Sequence, residues 1–100
     1  MMMPNNYEFW YNLAEAQSDS LLSSEAIASY DQAVEINPNY YIAWYYQACC
    51  YALQGNLQQA IKSLAQAINL NPEECQEWVK TNSDFDSIRH DCQFSALLQK

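Results

Sequence analysis

The sequence predicts an all-α fold in which helix hairpins stack in line as a short α-solenoid. Three observations predict it. Trp10, Trp44 and Trp78, and likewise Pro4, Pro38 and Pro72, fall on one 34-residue ruler, and a fixed period of that length marks helical repeat arrays. Apolar residues recur at helical spacing within each period. Residues 75–100 begin a third period and then leave it, as terminal repeats do when their outer side must face water.

The elements follow in order. In residues 7–40, Ala26, Tyr30 and Ala33 stand at i, i+4 and i+7 with Ile27 and Val34 beside them, which makes one apolar stripe of a second helix. Leu21-Leu22-Ser23-Ser24 lies just before that stripe, and a serine is expected to cap the helix there. Asn37-Pro38 ends the hairpin, because a residue before proline is pushed out of the helical region and proline suits a helix start. Residues 41–74 repeat the scheme, with Trp44, Ala48 and Tyr51 on the first helix and Ala60, Leu64 and Ala67, flanked by Ile61 and Ile68, on the second. Alanines at these sites let helices approach closely. The single glycine, Gly55, falls at the turn between the paired helices, where a left-handed backbone costs least without a Cβ. Asn71-Pro72 closes the period. Beyond it Trp78 is in phase, but Thr81 and Asn82 replace a leucine and a small residue, and residues 83–91 are rich in turn formers.

Laid over each other, the two full periods resemble the tetratricopeptide repeat, whose pattern runs W, L, G, Y, A, F, A, P over 34 residues. The first supplies Trp10, Leu13, Ala14, Ala26, Tyr30, Ala33 and Pro38; the second supplies Trp44, Ala48, Tyr51, Ala60, Leu64, Ala67 and Pro72. Alanine replaces the glycine in both, Gln17 stands at the tyrosine position and Gln47 at the leucine position. Asp84-Phe85-Asp86-Ser87-Ile88-Arg89, followed by Phe94 and Leu97-Leu98, resembles the unit that closes bacterial arrays of this family.

The resemblance implies a right-handed solenoid and a single domain: repeat 7–40, repeat 41–74 and a partial third unit, 75–100, acting as a C-terminal cap. It also implies a non-catalytic scaffold or adaptor that binds a peptide or helix of a protein partner in a concave groove. The first helix of each unit lines such a groove. Mapped onto this chain, that row is Glu8, Tyr11, Asn12, Glu15 and Asp19, then Ile42, Tyr45, Tyr46, Cys49 and Leu53, then Gln76, Val79 and Lys80. Tyr11 and Tyr45 are expected to be open to a partner. Family members that hold acidic chaperone tails use a clamp of basic and amide side chains; here those positions carry Tyr11, Glu15, Tyr46, Gln76 and Lys80. Only Lys80 suits the task, and Glu15 repels an acidic tail.

Composition narrows the partners. Net charge is −8, and residues 1–61 contain no lysine or arginine, while Glu8, Glu15, Asp19, Glu25, Asp31 and Glu35 are acidic. A nucleic-acid surface needs the opposite field. Acidic side chains either simply keep a small array soluble or form an acidic wall that fits a partner with basic flanks and apolar anchors. No run approaches the roughly 20 apolar residues of a membrane span, and residues 1–3 do not open a signal peptide, so a cytoplasmic location is expected. Cys49, Cys50, Cys75 and Cys92 show neither C-x-x-C nor a histidine at ligand spacing, and are expected as free thiols. His90 beside Asp91 and Cys92 has no second histidine to work with, so no enzyme, cofactor or metal is expected. Two further uses stay open. Exposed aromatic edges could make a homo-oligomer, and Met3-Pro4-Asn5-Asn6-Tyr7 is in phase with Asn37-Pro38-Asn39-Tyr40-Tyr41, as in the C-terminal fragment of a longer array.

Overall fold

A computed structural model of the chain describes residues 6–20 and 22–98. Among these, six α-helices and one 3-10 turn follow in order and no strand occurs: α1 (Tyr7–Asp19), α2 (Ser23–Ile36), α3 (Tyr41–Leu53), α4 (Leu57–Leu70), α5 (Pro72–Thr81), the 3-10 turn Ser83–Phe85, and α6 (Cys92–Leu98). The helices α1 and α2 form one hairpin, α3 and α4 a second, and α2 packs on α3 to join them. The whole measures 45 × 26 × 20 Å. The in-phase motif at residues 3–7 lies mostly outside the described residues.

Local chemistry sets the helix ends. The Asn6 side chain accepts a hydrogen bond from the Glu8 amide at 2.9 Å and so starts α1. The turn of the second hairpin uses Gly55 at φ +75°, and the Asn56 amide reaches back to the Tyr51 carbonyl at 2.9 Å, a glycine-terminated helix end. Asn56 then caps α4 through the Gln59 amide. The first hairpin closes with the corresponding bond from the Leu22 amide to the Gln17 carbonyl at 2.8 Å. Its cap position is Leu22, not a serine as expected, because Ser23 is already helical; a leucine side chain offers no acceptor, and α2 starts uncapped by any side chain. The two prolines also part company. Pro72 opens α5 behind the Asn71 cap, whereas Pro38 lies in the turn before α3 and accepts the Trp44 indole N–H at 2.9 Å.

Burial follows the predicted stripes. Ala26, Ile27, Tyr30, Ala33 and Val34 are buried in the first core, with Ala14, Ala43 and Cys50. Ala60, Leu64, Ala67 and Ile68 are buried in the second, with Tyr45, Ala48, Cys49 and Ala52 of α3. Helix α3 therefore serves both cores, and its adjacent cysteines belong to different ones. The departures from the repeat pattern make the polar contacts inside. Gln17 accepts from the Ser29 hydroxyl at 2.7 Å. Gln47 donates to the Ile27 carbonyl at 3.2 Å and to the Asp31 carboxylate, and accepts from Ser63 at 3.1 Å. Among the described residues no buried side-chain polar atom lacks a partner, as a native core requires.

Residues 82–98 fold back over the second hairpin. Phe85 and Phe94 are fully buried, with ring centroids 5.5 Å apart, and α6 packs on α4. The Arg89 guanidinium donates to the Val79 carbonyl at 2.9 Å and the Asn82 carbonyl at 2.7 Å. A cation there satisfies the open carbonyls at the end of α5 and faces the negative end of its dipole. The Asp91 carboxylate accepts from the Gln93 and Phe94 amides at 2.8 and 3.2 Å and fixes the start of α6.

Candidate functional site

The row of first-helix positions does not stay one open surface. On α1, Glu8, Asn12 and Glu15 are exposed and Tyr11 is half-buried, its ring 5.3 Å from Tyr40 and 6.3 Å from Tyr46. On α3, Ile42 is half-buried, while Tyr46 is 38% and Leu53 59% exposed. Tyr45, expected to be open, is only 2% exposed. The C-terminal segment covers it: Trp78 and Phe85 pack at 5.0 and 5.8 Å, and the Asn82 amide donates to its hydroxyl at 2.7 Å. Cys49 and Val79 are buried with it. On α5, Gln76 lines a separate cavity of about 570 Å³ with Ile68, Asn69 and Leu97. Lys80 is exposed and paired with Glu77 at 3.0 Å.

Part of the row borders a cleft of about 190 Å³ where α1, α3 and the C-terminal segment meet. Glu15, Ser18 and Asp19 form one wall, Tyr46, Cys49 and Leu53 another, with Tyr30 and Asp84 completing it. Every charged residue in this lining is acidic. Burial, then the neighbouring Asp86, raises the Asp84 carboxyl above its ordinary range. Burial also raises the Tyr11 hydroxyl, and a hydrogen bond to Glu15 adds to it; Tyr46 is raised by burial first and by Cys49 and Glu15 after it. These hydroxyls stay protonated at neutral pH and can donate. Asp84 had no sequence signal, since it falls where the 34-residue pattern has already failed. Tyr30 was legible only as core, and Ser18 not at all.

Burial raises the Cys49 and Cys50 thiols, and that of Cys75 to about 11 with Glu74 contributing, so they are neutral thiols rather than nucleophilic thiolates. The Asp91 carboxylate is occupied in capping α6. Among the described residues, no group of three or more His, Cys, Asp and Glu is placed to hold a metal ion, and no helix is long and apolar enough to cross a membrane.

Comparison with known families gives two matches to the tetratricopeptide repeat, one over residues 7–40 and one over residues 29–62. The first spans the α1–α2 hairpin and the second the junction of α2, α3 and the start of α4, where the hairpins stack. The chain belongs to the tetratricopeptide repeat family. A search of curated proteins found no match. Tetratricopeptide repeats generally mediate protein–protein interaction, and the family is a non-catalytic interaction module whose members bind proteins or peptides.

Proposed function

We propose that the chain is a non-catalytic scaffold or adaptor that captures a partner segment in the cleft between α1 and α3, the segment carrying a lysine or arginine next to an apolar side chain. One observation carries this: Glu15, Asp19 and Asp84 surround the exposed Tyr46 and Leu53 in a single concavity. The carboxylates attract and orient a cation. Tyr46 offers broad contact area with a polar tip, and Leu53 offers an apolar shelf. Helical or extended segments with spaced apolar anchors meet such a surface readily. Acidic carboxy-terminal peptides are repelled by the same charges.

Peptide titration tests the proposal. Peptides pairing leucine or phenylalanine with lysine or arginine are expected to bind, more weakly as salt rises. The double variant Glu15→Gln/Asp19→Asn weakens them roughly tenfold, about 1.4 kcal/mol. Equal binding of acidic analogues would reject the assignment. Tyr46→Ala is the informative aromatic change, because Tyr45→Ala would remove a core ring. Self-association is the second reading, favoured by Phe9 at 46% exposure on α1. Light scattering over a concentration series separates it, since a self-associating chain gains mass with concentration without any peptide.

A further inference from the structure

A second crevice, of about 240 Å³, lies on the side of α3 away from the cleft. Its α3 residues, Trp44, Gln47 and Tyr51, each stand two positions before a cleft residue, Tyr46, Cys49 or Leu53. Two residues turn an α-helix by about 200°, so the two sets occupy opposite faces of α3. This helix is the floor of the crevice, because it packs on both α2 and α4. Asp31 of α2 stands on one wall, and Gln59, Lys62 and Gln66 of α4 stand on the other.

The two walls carry opposite charges that do not meet. The Asp31 carboxylate accepts from the buried Gln47 amide, whose own oxygen accepts from Ser63 at 3.1 Å, so the floor holds the anion in place. Burial, and Asp31 after it, raise the Tyr51 hydroxyl, which stays protonated at neutral pH. Lys62 is exposed and is the one cation in residues 1–79. The ion pairs among the described residues belong to Lys80 and Arg89 and leave Lys62 without one. Gln59, Lys62 and Gln66 follow at i, i+3 and i+7, which puts their donors along one face of α4. Between the walls, Trp44 and Tyr51 are half-buried and offer ring surface.

We propose that this crevice binds a small zwitterion, a free amino acid with an apolar side chain. The ammonium lies on Asp31, the carboxylate on Lys62 and the neighbouring glutamine amides, and the side chain on Trp44 and Tyr51. A lone anion meets Asp31 and a net charge of −8, and a lone cation meets Lys62; only a ligand with both charges satisfies both walls. The volume equals about eight water molecules at ~30 Å³ each, which suits an amino acid of the size of leucine. The site shares no residue with the cleft, so it stands or falls separately from the partner assignment.

The test titrates the ¹⁵N-labelled full chain with leucine, N-acetylleucine and leucinamide and follows amide shifts. Leucine is expected to bind with a Kd of about 1 mM or below, with shifts at residues 31, 44–51 and 59–66. Each blocked form, which lacks one charge, should bind about fivefold more weakly. Asp31→Asn should weaken leucine and leucinamide about fivefold and spare N-acetylleucine; Lys62→Gln should weaken leucine and N-acetylleucine and spare leucinamide. Both substitutions are at exposed side chains, and the blocked ligands test the same claim on the unaltered chain. No saturable shift by about 10 mM leucine, well above that Kd, would overturn the proposal. So would blocked forms that bind as tightly as leucine, or shifts confined to residues 15–19 and Tyr46.

Discussion

The two hairpins have helices of the same lengths, 13 and 14 residues each, yet they place their polar groups and their open faces differently. Ser29 and Ser63 occupy equivalent positions, both buried, and each bonds a glutamine of the preceding helix. In the first hairpin the amide comes from Gln17, near the end of α1, and the bond stays inside the hairpin. In the second it comes from Gln47, one helical turn earlier in the repeat, which also bonds Ile27 and Asp31 of α2. That one exchange turns a local contact into a tie across the stack. The outer faces differ as well: α1 presents Glu8, Asn12 and Glu15 to solvent, while the Tyr45 face of α3 lies under residues 82–89. The shared frame fixes the architecture, and the residues that break the frame decide what is joined and what is open.

Substitutions can break or sharpen this contrast, and they rank by expected effect. Phe85→Ala empties the core beneath the C-terminal segment and should cost about 3–5 kcal/mol in urea unfolding. Phe9→Ala on the open face of α1 should stay within about 0.5 kcal/mol; similar costs would erase the distinction between covered and open hairpins. Gln47→Leu, which restores the apolar residue of the repeat pattern, should cost about 1–3 kcal/mol by leaving the buried Ser63 hydroxyl without its acceptor and cutting the ties to Ile27 and Asp31. Gln17→Leu, at a half-buried site, should cost less, and the reverse order in the same unfolding assay would refute the cross-stack role of Gln47. At the turns, Gly55→Ala should lose about 1 kcal/mol from the positive φ alone, because an added Cβ would meet nothing within 4 Å. Leu22→Asn, which copies the Asn56 cap into the first hairpin, should raise thermal stability by about 0.5–1 kcal/mol.

The smallest effect is electrostatic. Burial raises the Asp84 pKa in the folded chain, so folding favours the protonated acid. Stability from this group is present below its ordinary unfolded value and is lost as pH rises through its folded value. Asp84→Asn should therefore raise stability slightly at neutral pH, by less than about 1 kcal/mol at this half-open site, and flatten the pH dependence above the ordinary aspartate pKa. A lower melting temperature at neutral pH would mean that the ionised carboxylate is held by favourable contacts instead.

Much of the fold could be written from the sequence, because Trp44, Ala26, Leu64 and their counterparts repeat at a period that only stacked helices explain. Leu22 shows where that logic stops. Register alone does not say that the chain enters α2 one residue before the serines. Tyr45 shows a deeper limit. Its repeat position argues for an open ring, but the in-phase Trp78 of α5 packs against it, and Asn82 and Phe85, which complete the cover, come from the segment that has left the register, where no periodicity aligns them with α3. The cleft divides the same way: Glu15, Tyr46 and Leu53 can be put on one side by counting, whereas Asp84 arrives through a tertiary contact.

Amide hydrogen exchange with and without a bound leucine- and arginine-containing peptide tests the central claim most directly. The account predicts slower exchange in residues 12–19 of α1, residues 46–53 of α3 and residues 82–89, with α2 and α4 unchanged. Slowing confined to α4, α5 and α6 around Gln76 and Leu97, with residues 12–19 and 46–53 untouched, would contradict it.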